Sequence, residues 1–183
     1  MRADDRDRGS SLIEFALVLP ILCTLMFGII DFGWVLNDYV SVRQGVREGA
    51  RQAAVKTQPV PSSGTWAANG CVITGQGAGF STSNPDAYDL MCYVKDRTGL
   101  NQTNTRVKVW FDNSSGSPVY SSGKPVTICV QYPARSISGF MSAFLTGILS
   151  SKSTIRIEQN SSTFTTPAEE TALTSWPASC QQS

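Results

Sequence analysis

Histidine is missing from all 183 residues. Its absence removes the commonest general base and metal ligand, and with it every Ser-His or Cys-His nucleophile pair. Charge is scarce and balanced, with fifteen Lys and Arg against fourteen Asp and Glu for a net charge of +1. No basic face marks a nucleic-acid partner, so none is expected. The five cysteines contain no close C-x-x-C pair of the kind zinc sites use. A carboxylate pair drawn from Asp86, Asp89, Asp96 or Asp112 is the remaining enzymatic option, but no spacing argues for it, and helix capping or surface ion pairs explain such residues more simply. The expectation is a non-enzymatic protein without metal or cofactor.

What the sequence does have is one long apolar run. Residues 10–36 read SSLIEFALVLPILCTLMFGIIDFGWVL, with no charge between Phe15 and Ile30. At 1.5 Å per residue a helix over this stretch reaches about 40 Å, enough to cross the hydrocarbon with some tilt. A buried core helix is the bland alternative, but a domain this small could hardly surround so long a rod that is apolar on all sides. A secretory signal peptide is a closer competitor, since Arg2, Arg6 and Arg8 precede the run. The run is longer than a usual signal core, however, and Asp31, Trp34 and a polar helix follow it instead of a small-residue cleavage site. Pro20 lacks an N–H, so local loosening of the helix is expected there.

Glu14 is the informative position, because a carboxylate within an apolar span costs roughly 2.5–3.5 kcal/mol near its centre and less near an end. Taken alone, it could simply snorkel into the headgroups. Its surroundings say more: Arg8, Gly9, Ser10, Ser11, Leu12, Ile13, Glu14 and Phe15 resemble the processing site of type IV prepilins, a basic leader ending in Gly with Glu at the fifth following position. The run G-S-S-L-I-E-F-A-L-V-L-P, with E-G-A-R at residues 48–51, is similar to the TadE family of pseudopilins from tight-adherence pilus systems. That resemblance covers about the first third of the chain. It implies cleavage between Gly9 and Ser10 by a prepilin peptidase, an assembly role for Glu14 and Phe15, and partnership with other pilin subunits, the pilus assembly machinery and membrane lipids.

Beyond the span, Val35, Tyr39, Val42, Val46 and Ala50 recur at helical spacing, so the helix is expected to continue to about Lys56, where Pro59 and Pro61 stop it. Gly45, Gly49 and Ala53 make a stripe of small residues, a packing seam for the protein's own sheet or for a neighbouring subunit. Arg43, Arg47 and Arg51 make a parallel stripe, read as a solvated face. The domain organisation expected is a leader at 1–9, a transmembrane helix at 10–36, a connecting amphipathic helix at 37–57 and an extracytoplasmic domain at 58–183.

That domain reads as α+β. Residues 59–79 form a loop tethered by Cys71. Asn84 and Pro85 start a short helix with Ala87, Leu90, Met91 and Val94 on its buried side and Gly99 at its end. Val107, Val109 and Phe111 alternate along one strand, and Val126, Ile128, Val130 and Tyr132 along another. A short strand at Val119 and Tyr120, a second helix after Pro133 with Phe140, Phe144 and Ile148 on one face, and a last strand at Ile155 and Ile157 complete an antiparallel sheet over helices. Cys71, Cys92, Cys129 and Cys180 allow three connectivities; Cys71 with Cys92 and Cys129 with Cys180 is preferred, because the first ties a loop to a helix and the second ties down a Ser/Thr-rich tail. Disulfides favour an oxidising compartment, which puts the N-terminus inside the cytoplasmic membrane and the domain outside. Two functions compete. One is a structural minor pilin or pseudopilin supporting filament assembly and surface adhesion. The other is an uncleaved, membrane-anchored envelope domain that binds a wall polymer or partner protein through exposed Trp66, Trp110 and Trp176.

Overall fold

The computed structural model describes residues 4–55, 65–76, 80–111, 120–139, 141–160, 164 and 166–180, and the side chains of these except at 4–10, 81 and 82. It divides into two compact units, one of Met1–Asn37 with Arg135–Thr146 and the other of Asp38–Ala134 with Gly147–Ser183.

Helix α1, Asp4–Val55, runs through both and passes Pro20 without a break. Thr24 Oγ1 donates to the Pro20 carbonyl at 2.7 Å, a local bond that occupies a backbone acceptor close to the proline. Between Phe15 and Ile30 the helix is apolar on every side. Leu12, Leu17, Ile21, Leu25 and Ile29 are all more than half exposed, and the most apolar window has a mean hydropathy of 2.4 with none of it buried. In length and composition this helix can cross a membrane.

The second unit is an α+β domain. Strands β1 (Arg106–Phe111), β2 (Pro125–Ala134), β3 (Gly147–Arg156) and β4 (Ala168–Glu169) form one antiparallel sheet in the order β3-β2-β1-β4. Register sets Val107 opposite Val130, Val109 opposite Ile128 and Phe111 opposite Val126. These side chains make one apolar face, which packs with Val42, Val46, Ala50 and Ala53 of α1 and with Ala87, Leu90, Met91 and Val94 of helix α3. Helix α3 (Pro85–Thr98) follows a single turn, α2 (Phe80–Ser83). Its last turn closes as expected on Gly99, which sits at φ 63° and donates to the Asp96 carbonyl. Asn84 does not cap it with its side chain; its amide donates to the Thr166 carbonyl at 2.8 Å instead, tying the helix start to the tail.

Three expectations need correction. Among the described residues no α-helix follows Pro133: β2 continues through it to Ala134, and Ile148 pairs with Pro133 across the ladder. The spacing of Phe140, Phe144 and Ile148 was helical, but Gly139 at φ 74° turns the chain and the ladder claims the flanks; Phe140 itself lies outside the described residues. Tyr120 is not in a strand. Its ring stacks on Phe164 at 4.8 Å and its hydroxyl donates to the Ala53 carbonyl, so it fills the core as a plug from a loop; Val119 and the turn at 112–116 lie outside the described residues. The tail was expected to contribute only Cys180, yet it supplies β4, which pairs with β1 through Lys108 opposite Glu169 and Val109 opposite Ala168.

Candidate anchoring and assembly site

Gly9 and Ser10 both lie within α1. Glu14 and Phe15 follow on its exposed surface, Phe15 at 59%. Among the described residues the ion pairs are Arg51 with Glu48, Lys95 with Glu170 and Lys108 with Glu169, and Glu14 enters none of them. A lone carboxylate on a lipid-length apolar helix has an electrostatic cost that a second molecule or a new terminal amine would relieve.

A second carboxylate in the same run has its relief built in. Asp31 is fully buried. Its Oδ2 accepts from the hydroxyls of Ser136 at 2.6 Å and Ser138 at 2.7 Å, and its Oδ1 from the backbone N–H groups of Ile137 at 3.1 Å and Ser138 at 3.0 Å. Four donors on one carboxylate replace much of the water it has lost. In the sequence Asp31 serves only as a mark against a cleavage site. The signal was available, since Phe32, Trp34 and Leu36 continue the exposed apolar surface beyond it and leave Asp31 inside the run.

In the second unit the small-residue stripe meets α3. A Cβ on Gly45 would lie 2.5 Å from Thr98 Cγ2 and 3.1 Å from the Val94 carbonyl oxygen, and one on Gly49 would lie 2.2 Å from Val94 Cγ2. Ala53 is buried in the same core. The seam is thus filled chiefly by a helix of its own domain, with the sheet reaching it through Ile128 Cδ1 at 3.4 Å from the Gly49 position. Arg43, Arg47 and Arg51 are exposed on the solvated side.

The structure joins Cys71 to Cys92 and Cys129 to Cys180, leaving Cys23 free in α1. The second bridge clips the tail across the back of the sheet, where Trp110, Trp176 and Cys129 form a small cluster. Lys108 lies over both indoles, at 5.5 Å from Trp110 and 5.9 Å from Trp176, while pairing with Glu169 at 2.6 Å. Trp66, Trp110 and Trp176 are therefore not exposed aromatics; each is at most 8% exposed. A recognition surface built on them has no support.

The polar centre of the domain is the buried pair of Lys95 and Glu170, 2.7 Å apart and both side chains wholly enclosed. Lys95 Nζ also donates to the carbonyls of Val72 and Gln102, at 2.6 and 3.2 Å. Glu170 accepts the backbone N–H groups of Thr74 and Val107 at 2.7 and 2.8 Å. Burial pulls the Lys95 ammonium below the ordinary lysine range, and the Glu170 carboxylate opposes that pull. Burial likewise pushes the Tyr120 phenol up. No local spacing announces the Lys95–Glu170 pair, whose members are separated by 75 positions.

An apolar helix of membrane-crossing length, whose Glu14 enters none of the ion pairs among the described residues, continues into a disulfide-stapled α+β domain, an arrangement compatible with a single-pass membrane anchor. Residues 9–51 match the model of the family described as TadE-like protein, as the N-terminal residues led us to expect. The match spans Gly9, Glu14, Pro20 and the E-G-A-R segment. No curated protein and no solved structure matches the chain.

Proposed function

We propose that this chain is a structural subunit of a tight-adherence pilus, a minor pilin or pseudopilin made as a membrane precursor with its N-terminus inside and its domain outside. The observation that carries this reading is the coincidence of the TadE-like segment at 9–51 with an exposed apolar helix in which Glu14, within the apolar run, enters none of the ion pairs among the described residues. A peptidase of the prepilin class cuts between Gly9 and Ser10. The new ammonium of Ser10 then stands one helical turn from Glu14 and pairs with it or with the Glu14 of an adjoining subunit. Pairing between subunits fixes their axial register, because each helix can satisfy its neighbour at only one offset. The assembled helices bury the apolar surface that lipid covers in the precursor, while Gly45, Gly49 and Ala53 fasten the domain to its own helix.

N-terminal mass spectrometry on sheared surface filaments and on membranes tests the proposal. A terminus at Ser10 in the filament fraction supports it, and Gly9→Val should hold a heavier precursor in the membrane. An intact leader found only in membranes refutes it and favours the uncleaved envelope domain.

A further inference from the structure

We infer that the connection between β2 and β3, Arg135–Thr146, is a lipid-inserting loop that enters the outer boundary of the bilayer beside α1 and is held there by Asp31. The inference rests on the membrane-anchored reading of α1 but concerns a segment outside the TadE-like residues in sequence, which it meets at Asp31. Among the described residues the large apolar side chains left exposed outside α1 are Val72, Ile137 and Phe144. Two of the three belong to this loop, with Phe144 at 80% and Ile137 at 61%. Such exposure is not slackness of the chain. Gly139 N–H donates to Ser136 Oγ at 3.0 Å, and the amides of Phe144 and Leu145 donate to the Met141 carbonyl at 2.9 and 2.8 Å, so the loop has a defined turn that presents these side chains.

Asp31 supplies the location. It lies about 26 Å along the helix from Glu14 at 1.5 Å per residue, near the far edge of a hydrocarbon layer of about 30 Å. There the Asp31 carboxylate holds Ser136, Ile137 and Ser138 by four hydrogen bonds, which places the loop at the same depth. A carboxylate at that depth with exposed Phe32 and Trp34 beyond it needs donors that water supplies poorly. The loop delivers those donors on one side and apolar side chains on the other. Exposed Arg135 at its start suits anionic headgroups. The occupant of the apolar side is therefore lipid, continuous with the lipid around α1.

Spin labels on the full chain in anionic liposomes test this, in a Cys23→Ser background with both disulfides intact. Labels are placed at Phe144→Cys, at Ile29→Cys on α1 and at Asp96→Cys on α3, and collisions with oxygen and with a water-soluble nickel chelate are measured. The expected result is a loss of nickel collisions with frequent oxygen collisions at 144 and 29, and free nickel access at 96. Lipid contact at 29 with nickel access at 144 overturns the loop inference and leaves the span intact. Nickel access at 29 sinks the span and the inference with it. Shielding of 144 from both reagents means that protein covers it, and also overturns the lipid assignment. Adding Asp31→Ala should restore nickel access at 144 without changing 96; an unchanged profile refutes the holding role of Asp31.

Discussion

Replacing Glu170 by Ala removes the carboxylate paired with the Lys95 ammonium, leaving Nζ only the Val72 and Gln102 carbonyls, and strands the N–H groups of Thr74 and Val107. Breaking a fully buried ion pair from one side costs about 3–5 kcal/mol. Each stranded backbone N–H adds on the order of 1–3 kcal/mol unless water reaches it. A domain of this size is stable by about 5–15 kcal/mol, so Glu170→Ala should remove most of its stability. Lys95→Met with Glu170→Gln should cost less than Glu170→Ala alone. Its buried centre is then uncharged, and the amide oxygen can still accept from Val107 or Thr74. The assay is guanidinium unfolding of the full chain in detergent, followed by the fluorescence of buried Trp66, Trp110 and Trp176 against the constant signal of Trp34. The reasoning is wrong if Glu170→Ala lies within about 1 kcal/mol of wild type, the range typical of exposed pairs, or if the double variant is less stable than the single.

Gly45→Ala should destabilise the domain by about 1–2 kcal/mol, since the added methyl meets backbone atoms of α3 and overpacking outweighs the helix propensity gained. Gly28→Ala, with nothing within 4 Å, is the matched control and should be neutral or stabilising; equal melting shifts for the two would refute the seam. Replacing Cys129 and Cys180 together by Ser should cost up to about 4 kcal/mol by loop entropy, more than the about 3 kcal/mol expected for the Cys71 and Cys92 pair, because 51 positions separate the first pair and 21 the second. Reversal of that order in denaturant midpoints would count against the tail acting as a clip. Glu14→Ala should insert into membranes as well as wild type or better, by up to about 3 kcal/mol on insertion scales, yet fail to appear in surface filaments, as should Glu14→Gln. Wild-type filament yields from both would reduce Glu14 to a snorkelling residue.

The parts of the fold that follow from a single local pattern were legible. Helix α1, helix α3 with its Gly99 terminus and the alternation in β1 and β2 each carry their signal within a few consecutive residues. Strand β3 was read only at its end, because it is an edge strand whose interior is Ser, Lys and Thr. Its residues protect an edge instead of filling a core, so they lack the apolar alternation that announces a strand. The tail was read as loose because its role depends on distant partners: Glu170 on Lys95, Asn84 on Thr166, Gln131 on the Ser175 carbonyl. The donors to Asp31 were hidden for the same reason, since they lie 105 to 107 positions away.

The sheet order has a consequence for biogenesis. Strand β1 gains its second neighbour from residues 168–169, and Lys95 its counter-charge from residue 170, after every other strand and every α-helix among the described residues has been made. A chain delivered across a membrane from its N-terminal end would wait with an open edge and a solvated ammonium until that last stretch arrives. Contacts of such sequence separation form slowly. During the interval the unfinished sheet invites pairing with other emerging copies, so productive export requires either a holdase on the outer face or a rate of delivery faster than encounter between chains.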